Sequence, residues 1–389
     1  MQASSSRVLL SDFRQPDISA EIPFLFKRAG CTVELYCAQS SWLRKNSYFD
    51  TWHEADTSSK EAYAKGLAEL VGNTPYDWVV LTEDEAIEAA NTYIKNEAIV
   101  AQVLPIKSLE HRELLASKAN LSLLAKKCGL ATPLFSIYDE HKESFEIPFP
   151  LLVKIDRSSG GEGVFFCADE PELRQRLADL SSISKKNLVL QKYIAGQNLS
   201  VEALFKDGVL LMQACSKLEE ALDTEFSVSL KRLYYRDDAL AAQVREVGAV
   251  LGLNGFGTLT FMEDANTGKR YLIEADTRPN IWFAVLRRIG IDFSVGIRDY
   301  LGMSPGTEES QPQLPSSVWQ FHRDINRSIE RGDFKNILKW VCNRDGRWAF
   351  VCWYDQRLFW ATLATMVRLK ARQHAKSCAF LRRLKRALR

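Results

Sequence analysis

The apolar positions of this chain change rhythm along its length, and the changes mark out its elements. A short apolar run at 7–10 is followed by a helical spacing at 22–29 and, after Gly30, by a β-rich run at 32–37. That order predicts a β-α-β start. Residues 78–81 repeat the strand signal, and the TEDEAIEAA segment behind them opens with acids that suit the positive end of a helix dipole. Residues 1–108 therefore read as an α/β domain. The loop after the first strand, SDFRQPD, lacks GxGxxG, so a nicotinamide-binding site is not supported there.

Further along, 110–127 follows a helical pattern with Leu114, Leu115, Leu121, Leu124 and Ala125 on its apolar face and Lys118 within it; Gly129 and Pro133 end it. Runs at 151–153 and 164–166 predict two strands joined by a glycine loop, then a polar helix at 171–180 and a strand at 188–191. This is a small α+β lobe. Strands at 200–205, 209–214, 257–262 and 271–274, with a helix at 239–251, predict a larger antiparallel lobe. Residues 304–316 (SPGTEESQPQLPS) have no periodicity and suit a linker.

A length of 389 residues exceeds one comfortable core, which favours several domains and an interdomain cleft. Hydrophobic content of 46% and a net charge of +2 select no partner, but the charge is uneven. Residues 311–389 carry 17 Lys/Arg against 5 Asp/Glu, so 1–310 are net acidic. The last 22 residues, 368–389, hold nine Lys/Arg and no acid, with Phe380, Leu381, Leu384 and Leu388 at helical spacing. They read as a basic amphipathic helix, either solvated or lying on an anionic membrane surface. The cluster RWAFVCWYDQRLFW reads as core or domain docking, with sugar or lipid stacking as the alternative. Eight scattered cysteines without a CxxC pair indicate neither a zinc site nor a disulfide framework, and are expected to be reduced thiols in a cytoplasmic protein. No run reaches the roughly 18 apolar residues of a membrane span, and the N-terminus has no secretory h-region.

The chemistry is concentrated between Lys118 and Asn280. Lys154 ends an apolar strand and precedes Ser159, Gly160, Gly161 and Gly163, so a cation stands beside a loop whose N–H groups can approach phosphate oxygens. Gln191, Lys192, Tyr193 and Ile194 close a strand just before a chain reversal, where backbone groups can read an adenine edge. Glu274 and Asp276 stand two apart on a strand, which puts both carboxylates on one face as a possible Mg²⁺ site.

Together these residues resemble the ATP-grasp superfamily, with its motifs in order through about residues 110–303. The resemblance implies a multidomain α/β and α+β fold: a pre-ATP-grasp α/β domain at 1–108 and a two-lobed ATP-grasp domain with antiparallel sheets at 109–303. Its small lobe falls at about 120–190 and its large lobe at about 195–303. The linker at 304–316 and a helical, aromatic-rich, basic extension at 317–389 complete the chain. By the same resemblance Lys118 and Lys154 contact phosphates, Ser159 to Gly163 form a phosphate flap, and Gln191 to Ile194 form the adenine hinge. Asn198 takes a ribose position, Glu274 and Asp276 hold metal, and Arg278 steadies the transferred phosphate, with Asn280 completing that turn.

The activity implied is ATP-dependent ligation with Mg²⁺ or Mn²⁺, in which a small-molecule carboxylate becomes an acylphosphate that an amine or similar nucleophile attacks. No specific nucleic acid is expected. One departure stands out: Thr260 occupies a position where the family has Asp or Glu as first metal ligand, and Glu263, out of phase on the strand, faces away. Asp276 is then the compensating carboxylate. The alternative is an ATP-binding scaffold or sensor with reduced catalysis.

Overall fold

The computed structural model describes residues 5–139, 141, 146–158, 160, 161, 163–180, 188–304 and 312–365. The N-terminal part runs β1 (Arg7–Ser11), α1 (Ile22–Arg28), β2 (Thr32–Cys37), β3 (Thr51–Glu54), α2 (Lys60–Asn73), β4 (Trp78–Leu81), α3 (Asp84–Tyr93) and α4 (Glu97–Val103). Its strands form one parallel sheet in the order β3-β2-β1-β4. Helices cover both faces, so β1 and β4 are buried at almost every position rather than at alternate ones. The loops leaving the carboxyl ends of β1 and β4 come together: the Glu83 carboxylate accepts hydrogen bonds from the Phe13 and Arg14 N–H groups, both at 2.6 Å.

Next come α5 (Lys118–Lys127), β5 (Phe135–Ile137), β6 (Leu151–Ile155), β7 (Val164–Cys167), α6 (Glu170–Asp179) and β8 (Leu188–Lys192). The four strands make an antiparallel sheet in the order β5-β8-β6-β7, with its own core around Leu151, Val153, Leu173, Leu177 and Leu190. The helix expected over 110–127 is broken. A 3-10 segment, Leu109–Leu114, ends before Ala116, which sits at φ 56°, and α5 starts afresh behind its cap Ser117. A left-handed alanine interrupts the helical hydrogen-bond run, so Lys118 is the first residue of α5 rather than a mid-helix position.

The third part contains β9 (Gly196–Lys206), β10 (Val209–Ala221), β11 (Ser229–Tyr235), α7 (Asp238–Leu251), β12 (Gly255–Asp264), β13 (Arg270–Asp276), α8 (Ile281–Val285), α9 (Phe293–Leu301) and β14 (Ser316–Trp319). These strands form an antiparallel sheet ordered β13-β12-β9-β10-β11-β14. One face packs on α7 through Val201, Phe205, Leu259, Leu240 and Val244. The other packs on α8 and α9 through Leu204, Phe256, Phe283 and Phe293. β14, at the end of the expected linker, pairs with β11 and ties the C-terminal segment to the sheet. α10 (Phe321–Glu330) and α11 (Phe334–Val341) follow.

The N-terminal and large-sheet units share a core: the Trp78 indole stacks on Phe256 at 5.4 Å and on Tyr300 at 3.8 Å between centroids. The C-terminal segment returns to the N-terminal unit, where Asp355 accepts from Ser47 N–H and Oγ, and the Tyr354 hydroxyl donates to Glu21 at 2.6 Å. The seven described cysteines are free thiols; Cys378 and the segment 368–389, expected from the sequence to be a basic helix, lie outside the described residues. Among the described residues no helix is long and apolar enough to cross a membrane.

Candidate functional site

The antiparallel register of the large sheet assembles one polar face. Thr260 of β12 lies between Ser200 of β9 and Glu274 of β13, and the next row is Glu202, Thr258 and Asp276. Because side chains two apart share a face, Asn198, Ser200, Thr260, Glu274 and Asp276 point the same way. Asn198 is held loosely there, its Oδ1 accepting from Ser200 Oγ at 3.5 Å. Glu263 is turned elsewhere and bound to Arg270 at 2.6 Å, as its phase predicts.

The small lobe brings its lysines over this face. Lys154, on β6, is only 6% exposed, and burial lowers its ammonium pKa to about 8, with Glu274 opposing the shift and Lys118 adding to it. Lys118 extends from the start of α5 to the Ser158 carbonyl. That helix start is pinned by Asp156, which accepts from Ser117 Oγ and from Ala119 N–H at 3.1 Å. A carboxylate at a helix N-terminus is favoured electrostatically and here fixes Lys118 relative to the end of β6.

The glycine loop reaches across to the large lobe. Gly161 has φ 80°, and a Cβ there would lie 1.8 Å from the Phe226 carbonyl oxygen in the β10–β11 loop. Gly160 is likewise left-handed, at φ 66°, and a Cβ on Gly163 would meet Ser158 Oγ at 2.2 Å. Glycine is required here for conformation and for close approach. Ser159 lies outside the described residues.

At the hinge, Gln191 is buried, while the Lys192 and Tyr193 N–H groups are already given to the Leu134 and Pro150 carbonyls. Among the described residues Ile194 N–H has no such partner. The Tyr193 ring packs edge-on against Phe166 and its hydroxyl donates to Glu225 at 3.3 Å, another bridge between lobes.

Arg278 closes the far side. It is 8% exposed and forms ion pairs with Asp276 at 3.4 Å and with Asp84, the first residue of α3, at 2.9 Å. Asn280 donates to Thr258 Oγ1 at 2.9 Å and caps α8 through Trp282 N–H. Asp276 has its pKa raised to about 7 by desolvation, with Arg278 opposing and Glu274 and Asp84 adding like charge. Asp84, Asp156 and Thr258 are site-shaping residues that local sequence reading passes over. Asp84 sits in a segment whose acids already have a sufficient explanation as a helix start.

Glu274 and Asp276 fit Mg²⁺ as it is commonly held with nucleotides, through one or two carboxylates plus phosphate oxygens. Among the described residues no group of three or more His, Cys, Asp or Glu could hold a metal. The site gathers two lysines, an arginine and paired carboxylates between two lobes, an arrangement suited to binding a polyphosphate and its cation.

A family model described as an ATP-grasp domain matches residues 115–280. The carbamoyl phosphate synthase large chain of Clostridium beijerinckii is 26% identical over 205 residues, covering 50% of this chain and 18% of that protein. The 5-formaminoimidazole-4-carboxamide-1-(beta)-D-ribofuranosyl 5'-monophosphate synthetase of Pyrobaculum neutrophilum is 27% identical over 141 residues, covering 34% of this chain and 38% of that one. The chain thus spans well under half the length of these curated relatives. Among solved structures, N5-carboxyaminoimidazole synthetase from Staphylococcus aureus complexed with ADP superposes with a TM-score of 0.62 at 13% identity, covering 87% of each chain. The L-amino acid ligase from Bacillus licheniformis gives a TM-score of 0.59 at 16% identity, covering 80% of this chain and 78% of that one. At these identities the likeness is one of fold.

Proposed function

Because residues 115–280 belong to the ATP-grasp domain family, we propose that this chain is an ATP-dependent ligase that activates a small-molecule carboxylate as an acylphosphate for attack by an amine or similar nucleophile. The observation that carries this reading is the convergence of Lys118, Lys154 and Arg278 on the face that bears Glu274 and Asp276. Phosphoryl transfer needs fixed positive groups around a charge-dispersed transition state, and positioning plus electrostatics supply most of the catalysis.

Each residue has a role in that scheme. Lys154 and Lys118 bind phosphate oxygens from the small lobe, and Gly160, Gly161 and Gly163 bring backbone close enough to exclude water. The hinge, through Ile194 N–H, holds the adenine edge, with Gln191, Lys192 and Tyr193 shaping its pocket and Asn198 placed for ribose. Glu274 and Asp276 would hold Mg²⁺ or Mn²⁺, which supplies charge neutralisation on the phosphates. Arg278, steadied by Asp84, orients the carboxylate oxygen that attacks the γ-phosphorus. That oxygen gains the phosphoryl group as the bond to the ADP oxygen breaks; the nucleophile then displaces inorganic phosphate. The ADP in the Staphylococcus aureus structure and the ligase activity named for the Bacillus licheniformis protein support this class of reaction.

The test is ADP release against pooled carboxylates and amines by the wild-type protein, Lys154→Ala and Glu274→Ala. Substrate-dependent turnover that both variants lose is the expected result; equal turnover in all three removes the proposal. A second reading, a nucleotide-binding scaffold or sensor, is favoured by Thr260 standing where the family carries an acid. It predicts ATP binding without substrate-stimulated turnover.

A further inference from the structure

α11 is oriented against the usual pattern of a surface helix. Its polar and indole N–H groups point inward to a buried carboxylate: Asp324 accepts from Asn336 Nδ2 at 3.0 Å, from Trp340 Nε1 at 2.8 Å and from Arg327 at 2.8 Å. Arg347 is buried on the same network, donating to Asn336 Oδ1 at 2.7 Å. With that face fixed inward, the residues at i, i+4 and i+7 on the other side are turned out: Phe334 is 78% exposed, Leu338 60% and Val341 64%. Amphipathic helices of globular proteins turn such a stripe toward the core.

The outward stripe continues into an aromatic rim. Trp348 donates from Nε1 to the Trp340 carbonyl at the end of α11, and its ring meets Trp353 at 5.9 Å. Trp353 packs on Phe359 at 4.7 Å, and Phe359 on Trp360 at 5.3 Å, while all three tryptophans keep about half of their surface exposed. Exposed around them are Lys335, Lys339, Arg344 and Arg357; Asp355 is buried on Ser47, which leaves Asp345 and the α11 cap Asp333 as the exposed acids of 333–365. The sequence past this segment adds nine Lys/Arg and no acid.

We propose that the α11 stripe and the Trp348–Trp353–Trp360 rim form a peripheral docking surface for an anionic phospholipid bilayer. Charge decides between occupants. The chain's own basic segment, 368–389, carries the same sign as Lys335, Lys339, Arg344 and Arg357, so packing it on this face sets like charges together. An anionic headgroup layer complements both. Tryptophan at the headgroup level, aliphatic side chains below it and lysines at the flank are the composition of an interfacial helix. The stripe and rim share no residue with the phosphate-binding face proposed above, so binding here would hold the protein at a membrane without using the residues of that site.

The experiment is flotation of the full-length protein with vesicles of phosphatidylcholine alone or mixed with phosphatidylglycerol, at low and raised salt. Wild type floats with the anionic vesicles, less so as salt rises. The triple variant Phe334→Ser, Leu338→Gln, Val341→Ser removes only exposed side chains and loses affinity about tenfold or more, with an unchanged melting temperature. Acyl-brominated lipids quench wild-type tryptophan emission, and Trp360→Phe loses part of that quenching. Three outcomes overturn the proposal: no flotation of wild type, equal binding by the triple variant, or binding abolished only by a full-length variant in which Arg382, Arg383, Lys385 and Arg386 become Gln. A wild-type dimer in sedimentation that the triple variant converts to monomer, with no vesicle binding, also overturns it by assigning the stripe to self-association.

Discussion

Thr260 and Glu274 stand directly opposite each other in the β12–β13 ladder, so a neutral hydroxyl lies beside the carboxylate proposed above to hold the metal. Opposed side chains on neighbouring strands are about 5 Å apart at Cβ, close enough for Thr260→Asp to join Glu274 on one cation. Without Mg²⁺ the variant sets another carboxylate beside Glu274 and Asp276 and should lose about 1 kcal/mol. With Mg²⁺ and an ATP analogue it should bind the metal about tenfold more tightly. Calorimetric titration and melting curves with and without Mg²⁺ check both halves. Unchanged metal affinity would place the cation elsewhere. A gain in turnover would mark the wild type as a weakened enzyme, and a loss would mark a site adapted to threonine.

Arg278 is paired with an acid from the N-terminal α/β unit. Asp84 holds it from the start of α3, with Asp276 as the second partner, and these neighbours help raise the guanidinium pKa despite burial. Asp84→Ala should leave the nucleotide pocket intact but release Arg278. The expected result is a fall in kcat of tenfold or more with ATP affinity within about threefold of wild type, and a loss of about 1–3 kcal/mol in stability. A matching loss of ATP affinity in isothermal titration would instead make Asp84 part of nucleotide binding.

Gly161 provides a test of the loop that spans the lobes. Alanine there combines an unfavourable φ of 80° with a Cβ 1.8 Å from the Phe226 carbonyl, which is backbone and cannot swing away. Gly161→Ala should therefore hold the glycine loop off the β10–β11 loop and weaken ATP binding about tenfold or more, while the melting temperature of the ligand-free protein changes little. Gly268→Ala is the matched control, since it too is left-handed, at φ 67°, but has nothing within 4 Å of the added Cβ.

How much of this was legible in the sequence follows from the range of the signals. The glycine loop, the Gln191–Ile194 hinge and the Glu274/Asp276 pair are local patterns, and period-two spacing alone sets the last two on one face. Lys118 can be picked out from the sequence, but its setting cannot: the left-handed Ala116 ends the preceding segment, and the capture of Ser117 and Ala119 by Asp156 fixes the start of a new helix there. Asp84 was hidden because its role is set by Arg278, which lies in a different unit and reaches it only after the sheets are packed. The outward stripe of α11 was equally hidden. A helical apolar spacing says that a face exists, and the buried Asp324 network determines which way it turns.

Glu83 supplies a pH dependence of stability that can be measured apart from catalysis. Burial raises its carboxyl pKa to about 7, against the opposing effect of the Arg14 and Phe13 N–H groups; burial likewise raises Asp12 to about 7, against a hydrogen bond from Ser41. The folded protein therefore keeps a proton on Glu83 until about pH 7, whereas the unfolded chain releases it near the ordinary 4.5. Between those values the folded state binds more protons, so the stability contributed by this group is full below the lower value, declines as pH rises and is gone above the upper one. The swing is at most about 3 kcal/mol. Wild type should melt at a lower temperature at pH 8 than at pH 5. Glu83→Gln keeps an acceptor for the two N–H groups without the titration, so its melting temperature should exceed that of wild type at pH 8 and fall less across the range. Asp17, held down at about 2 by His322 and Arg323 despite burial, changes charge far below this window and does not contribute to the slope. Parallel wild-type and Glu83→Gln curves from pH 5 to 8 would show that Glu83 is already ionised in the folded protein, which would require more water at the carboxyl ends of β1 and β4 than their burial implies.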